Sequence, residues 1–247
     1  MKGDTEKDAY ENQARDRYAL EPYIIDFADF SGSKGKKVLE IGVGLGADHQ
    51  RFAEGGAELY GVDLTERAVL NTKKRFELSG LHSTLSTGDA EALSFPNDFF
   101  DIVYSWGVIH HSPDTPKAVR EIYRVLKKGG ETRIMIYHTQ SMVGYMLWLR
   151  YALLKGKPFT SLRTIYANYL ESPGTKAYSV KEAQQLFAEF SSVSIDTILT
   201  HSDLLTSQAG QRHKGAILSI ARKIFPRFLI RTLFPKHGLF MLIKATK

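Results

Sequence analysis

The chain predicts an α/β protein built on an open, mostly parallel sheet, and three observations carry that prediction. Short apolar runs alternate with amphipathic stretches between Lys37 and Tyr137, the pattern of successive βαβ units. The first run, Val38–Ile41, opens onto Gly42-Val43-Gly44-Leu45-Gly46. The second, Leu59–Val62, ends in Asp63, an acid about 20 residues beyond the glycines, where a nucleotide-binding unit places one.

Residues Thr5–Phe30 read as helix in one or two pieces, broken at Pro22. Tyr10, Arg15 and Tyr18 lie here, and their plainest role is to pack a surface helix onto the domain. Ser31–Lys37 is a loop, and Val38–Ile41 has the length and composition of a buried parallel strand. The glycines after it allow a sharp turn and a ligand approach that any Cβ would obstruct. A helix follows from Ala47 to Ala53. Asp63 is placed to accept hydrogen bonds from ribose hydroxyls. Taken alone, the turn also fits a tight βα connection beside a surface acid. Gly42-x-Gly44-x-x-Ala47 equally fits a nicotinamide or flavin site.

Thr65 can cap a helix running to Leu78, with Gly80 as its stop. Strand three, Ser83–Thr87, leads into Gly88-Asp89-Ala90 and sets a second acid at a strand's carboxyl end. Open α/β sheets bind ligands outside those ends. One acid for a ribose and another for an exocyclic amine would together hold an adenosine. Strand four is Phe100–Trp106, followed by His110 and His111. Asp114 or Thr115 can cap a helix to Leu126, Lys127–Gly130 reads as its basic end and glycine stop, and strand five is Glu131–Tyr137.

Two departures follow. Residues 138–178 contain Met142–Leu154, apolar almost all round apart from Arg150. At about 13 residues it is too short to span a bilayer and reads as buried, lid-like or interfacial. Ser179-x-x-Glu182 is a capping box for a helix to Phe190, and strand six is Val193–Thr200. Residues 202–238 form the second departure, before a last strand at Leu239–Ala245. Here Ile217, Ile220, Ile224 and Phe228 fall at helical spacing, Lys223, Arg227 and Arg231 line another face, and Pro226 splits the element. Such a basic amphipathic stretch, residues 215–235, suits an anionic membrane surface; the alternative is a helix packed on its own domain. Both departures leave the carboxyl ends of strands five and six. They are therefore expected over the edge that carries the glycine turn, Asp63 and Asp89, as substrate chamber and cover.

At 247 residues, with 43% apolar and 24% charged residues, the chain is expected to form one α/β domain with insertions. It has no cysteine, which excludes disulfides, thiolate metal sites and a cysteine nucleophile and fits a reducing compartment. The first twenty residues are polar, which argues against a secretory signal, and no run is long enough to span a membrane. The expected location is the cytoplasm, with peripheral membrane contact through the basic tail. The net charge of +6 is uneven: no acid follows Asp203, and nine Lys or Arg do.

From Lys37 to Tyr137 the motifs VLEIGVGLG, LYGVDLT, STGDAEALSFPNDFFDIVYSWGVIHH and AVREIYRVLKKGGETRIMIY resemble those of class I S-adenosylmethionine-dependent methyltransferases, of the broad type acting on small molecules, quinones and lipids. The resemblance implies a Rossmann-like seven-stranded sheet of order 3-2-1-4-5-7-6, its last strand antiparallel. It implies that Glu40, Gly42, Gly44 and Gly46 border the methionine portion of the cofactor. Asp63 would hold the ribose, Leu64 would pack beside the adenine, and Asp89 and Ala90 would meet the adenine edge. Ser105 would hold the methionyl amine through its backbone. Residues 1–30 would cover the cofactor, bringing Tyr18, with Tyr10 and Arg15, into consideration.

Methyl transfer to a hydroxyl benefits from a base, and His110, His111 and His138 are the candidates, each also readable as a structural histidine. Tyr137 and Tyr104 are weaker ones. No metal is expected. The chain lacks the Asn/Asp-Pro-Pro-aromatic motif of base-amine methylation after strand four, and without cysteine the covalent cytosine route is closed. The reading is an enzyme methylating O or N of a small or lipid-like acceptor. Its alternatives are a methyltransferase guided to nucleic acid or protein by the basic segment, and a non-catalytic cofactor-binding subunit.

Overall fold

In the computed structural model, residues 5–206 and 225–247 are described. Their elements are α1 (Glu6–Leu20), α2 (Tyr23–Ala28), β1 (Lys37–Ile41), α3 (Ala47–Glu54), β2 (Glu58–Asp63), α4 (Glu66–Ser79), β3 (Thr84–Thr87) and β4 (Phe100–Trp106). There follow α5 (Thr115–Val125), β5 (Leu126–Tyr137), α6 (Met142–Tyr151), α7 (Leu162–Tyr169), α8 (Val180–Leu186), β6 (Ser192–Ile198), α9 (Arg227–Leu233) and β7 (Phe240–Thr246). The seven strands are ordered β3-β2-β1-β4-β5-β7-β6, with the end of the sheet antiparallel, as the motifs implied.

Two compact units divide the chain. The first comprises residues 1–135, 186–194 and 243–247; the second comprises 136–185 and 195–242. In the first, β1 lies between β2 and β4, and its residues Val38, Leu39 and Ile41 are buried with Ile102 and Val103. The parallel register pairs Ile41 with Val62 and Asp63 with Thr87, so the three strands end side by side. That alignment gathers the glycine turn and the two acids.

Helix α1 is capped by Thr5 and Asp8 in a reciprocal box, yet it has no buried residue. Polar contacts must therefore seat it. Residues Lys127–Gly130 do not stop a helix. Leu126 is already extended and pairs with Phe100, Gly129 N–H donates to the Lys247 carbonyl (2.9 Å), and Lys247 N–H donates to the Gly130 carbonyl (3.0 Å). These residues are strand because a neighbouring backbone satisfies them, which local composition does not reveal. The capping box at Ser179 and Glu182 is formed, but α8 ends at Leu186 rather than Phe190. Phe187 is fully buried and leaves the helix for a turn closed by Phe190 N–H on its carbonyl (3.1 Å).

In the second unit, α6 and α7 pack through Leu147, Ala152 and Ile165. α7 was not apparent in the sequence. Asp203, wholly buried, accepts from the N–H groups of Thr200 (2.9 Å), Leu239 (2.8 Å) and Val143 (3.1 Å) and from the Thr200 hydroxyl (2.8 Å). Burial pushes its carboxyl up, and those donors pull it back. Of the basic amphipathic stretch 215–235, residues 215–224 lie outside the described residues; α9 begins immediately after Pro226.

Candidate active site

The centre of the site is the turn after β1. Gly42, Gly44 and Gly46 all have positive φ (86°, 54° and 74°), a conformation that strains any side-chain-bearing residue. A Cβ on Gly42 would collide with Val108, whereas nothing lies within 4 Å of one built on Gly44. The Gly44 N–H donates to Asp63 Oδ2 (3.1 Å), and the Thr65 N–H and hydroxyl donate to Oδ1 (3.0 and 2.9 Å). Asp63 is half-buried, pairs with no Lys or Arg among the described residues, and keeps lone pairs for further donors.

One strand further along, the Gly88 N–H donates to the Asp63 carbonyl (2.9 Å), tying the two tips together. Asp89 beyond it is exposed, and its carboxylate accepts from the Glu91 N–H (2.9 Å). Ala90 is buried, and Leu64 stands 72% exposed beside Asp63. An open glycine cradle, two accessible carboxylates and an exposed leucine form a set that can take a nucleoside with a charged tail. S-adenosylmethionine fits that set: hydroxyls and an exocyclic amine for the acids, an apolar purine face for Leu64.

Glu40 lies on β1, one residue before Ile41 and the glycine turn. It is buried, and its carboxyl lies 2.9 Å from His49 Nδ1, while His49 Nε2 lies 2.7 Å from the Ser83 hydroxyl. Burial pushes the Glu40 carboxyl up and the His49 imidazole down to about 3. The Ser83 hydroxyl donates to the Leu59 carbonyl (3.1 Å), so Ser83 Oγ accepts from His49 Nε2–H.

Tyr18 does not reach toward the glycines through its hydroxyl, which donates to Asp48 Oδ1 (3.0 Å). Asp48, buried in the first turn of α3, also takes a bidentate pair from Arg17 (2.9 and 2.6 Å) and the hydroxyl of Tyr104 (2.8 Å). The buried Arg75 guanidinium donates to Gln13 Oε1 (2.9 Å), the Tyr10 carbonyl (3.2 Å) and the Leu45 carbonyl (3.1 Å) inside the glycine turn. These two clusters seat α1 against α3 and α4. Tyr10 donates to the Asn71 carbonyl (3.2 Å), and Arg15 bonds Asn12 on its own helix. Arg17, Asp48, His49, Arg75 and Tyr104 were not singled out as a set in the sequence. An acid in the first turn after a glycine loop is a visible signal, but its partner 31 residues upstream is not.

Ser105 is buried, and its hydroxyl is committed to the Ile41 carbonyl (3.0 Å), so any part it takes is through its backbone. His110 is buried and His111 exposed on a turn closed by the Thr115 hydroxyl on the Ile109 carbonyl (3.1 Å); their rings lie 4.2 Å apart. His138 belongs to the second unit, as does Tyr137, whose hydroxyl donates to Glu171 (2.7 Å). His138 Nδ1–H donates to the Gly238 carbonyl (3.2 Å). Nε2 is therefore left as a lone-pair acceptor, buried with no partner among the described residues. Burial lowers the basicity of the ring.

A seven-stranded sheet with this order, a glycine cradle and acids on the next two strands defines a nucleoside-binding α/β domain of the methyltransferase type. Comparison with known proteins agrees. Residues 39–134 match the methyltransferase domain family. The chain is 35% identical over 113 residues to phosphoethanolamine N-methyltransferase 2 of Caenorhabditis elegans, covering 45% of this chain and 25% of that protein. It is 32% identical over 116 residues to a ubiquinone biosynthesis O-methyltransferase of Azoarcus sp., covering 46% and 49%. The fold resembles that of Haemonchus contortus phosphoethanolamine N-methyltransferase 2, solved with phosphomonomethylethanolamine and S-adenosylhomocysteine (TM-score 0.61, 19% identity, 87% of this chain and 49% of that one). Residues 39–134 thus match a methyltransferase domain, on a fold shared with solved S-adenosylmethionine-dependent methyltransferases. It spans half or less of the length of these curated relatives.

Proposed function

We propose that this protein transfers a methyl group from S-adenosylmethionine to an oxygen or nitrogen of a small, amphiphilic, lipid-like acceptor. The observation that carries the reading is the pairing of Gly44 with Asp63. One carboxylate both holds the glycine turn open and keeps lone pairs beside it, with the exposed Asp89 on the next tip. When bound, the cofactor supplies an electrophilic methyl on a sulfonium, so the chain need only align the acceptor and exclude water. Asp63 would bind the ribose hydroxyls, Asp89 and Ala90 the adenine edge, Leu64 its face, and Ser105 the methionyl amine through its backbone. The glycines and Glu40 would shape the wall behind the methionine. α1, seated through Arg17, Tyr18 and Arg75, would cover the cofactor.

For a hydroxyl or ammonium acceptor a base must remove one proton. Among the three histidines His138 suits the task best: its Nδ1–H is anchored and its Nε2 carries a lone pair that no described residue uses. His110 and His111 are the alternates. The acceptor class is supported by relatives named for a quinone pathway and for phosphoethanolamine, and by the apolar residues of the second departure. Residues 138–178 and 202–238 would form the acceptor chamber and its cover. Purified protein with methyl-labelled cofactor should label a lipid or quinone extract and leave RNA and protein fractions unlabelled; label confined to RNA or protein would overturn the acceptor class. His138→Gln should lower the rate constant for methyl transfer with little change in cofactor affinity. An unchanged rate across the pH range would remove His138 from the mechanism.

A further inference from the structure

We propose that the second unit docks on an anionic lipid bilayer through the turn that joins α6 to α7, with α9 as an additional apolar contact. Leu153, Leu154 and Phe159 stand exposed at that turn, Leu154 at 73% and Phe159 at 100% of their surface. The turn is built rather than frayed. Gly156 N–H donates to the Leu153 carbonyl (3.0 Å), Lys157 N–H to the Ala152 carbonyl (2.9 Å), and the Trp148 indole to the Thr160 carbonyl (2.9 Å). A structured turn that holds apolar side chains in water loses hydrophobic stabilisation unless something apolar covers them.

Charge points to the cover. No acidic residue occurs between Glu131 and Glu171, and Arg150, Lys155 and Lys157 are exposed around the tip with no ion pair among the described residues. Behind the tip comes an aromatic collar: half-buried Trp148, and Tyr151 stacked on Tyr169 with ring centroids 4.1 Å apart. Apolar tip, cationic rim and amphipathic aromatics are the composition that seats a protein at the headgroup level. α9 repeats it, turning Ile230 inward and leaving Phe228, Leu229 and Leu233 exposed beside exposed Arg231. Among the described residues no helix is long and apolar enough to cross a membrane, so the contact is one of insertion into one leaflet. It stands apart from the reaction, because bilayer binding requires neither cofactor nor acceptor.

Sedimentation of the full chain with vesicles of phosphatidylcholine alone, and of phosphatidylcholine with phosphatidylglycerol, tests this at low and high salt. Binding should favour the anionic vesicles and weaken with salt. The double variant Leu154→Ser/Phe159→Ser should lower the partition coefficient by at least about tenfold, from the apolar area withdrawn. Lys155→Glu/Lys157→Glu should remove most of the salt-sensitive part. Both should keep the wild-type circular dichroism and cofactor affinity. Absence of vesicle binding by the wild-type chain would overturn the proposal. So would serine variants that bind as the wild type does, or ultracentrifugation showing that the tip instead joins two copies of the chain. Should the serine variant fail to fold, the charge-reversal variant decides alone, and unchanged anionic binding by it overturns the proposal.

Discussion

Asp63 ties the glycine turn to the tip of β2. Its Oδ2 accepts from the Gly44 N–H, and a Cβ built on Gly44 would meet nothing within 4 Å. Asp63→Ala should weaken binding of S-adenosylhomocysteine by about 1–3 kcal/mol, the cost of leaving buried hydrogen-bonding groups unpaired. Calorimetry giving the wild-type affinity would remove Asp63 from the site. Glu40 makes a prediction in pH. Its folded carboxyl titrates above the ordinary 4.5, so it contributes stability below that value that is lost as pH rises through the raised one. His49, held near 3 against an ordinary 6.5, has the opposite sign: stability present above 6.5 is lost as pH falls toward 3. Glu40→Gln keeps a donor to His49 and removes the alkaline loss. Its melting temperature should fall less than the wild type's on the alkaline side and equally on the acid side. An alkaline limb identical to the wild type's would mean that Glu40 is ionised in the fold.

At the scale of elements, α1 depends on half-buried Arg17 and buried Arg75 because none of its own residues is buried. Arg17→Gln would leave Asp48 with the two tyrosine hydroxyls and no countercharge, a loss of about 3 kcal/mol or somewhat less given the partial exposure of Arg17. The loss should be local. Limited proteolysis should cut within residues 5–22 of the variant while the sheet stays protected, and global unfolding without such cutting would contradict it. Asp203 has the comparable role in the second unit. Asp203→Ala orphans three backbone N–H groups, each worth about 1–3 kcal/mol, and a thermal unfolding scan should show the second unit melting early.

At the scale of the molecule, the charge is divided: the second unit's acids are Glu171, Glu182, Asp196 and Asp203 alone, against a larger number of Lys and Arg. Removing Gly210–Pro235 from it should abolish acceptor turnover while leaving cofactor binding largely intact; loss of both would make that segment structural. The glycine turn and both strand-tip acids were readable from one sequence, because parallel strands are continuous apolar runs and a βαβ turn must use glycine where φ is positive; the strand order came only with the family resemblance. α7 was not readable, nor was the strand character of Lys127–Gly130, because distant backbone and packing decide them. The same holds for the Arg17–Asp48 and Glu40–His49–Ser83 sets. Sequence spacing records what each residue can offer within a turn or a strand. Which buried charge meets which partner is set by the burial itself, which sequence spacing does not contain.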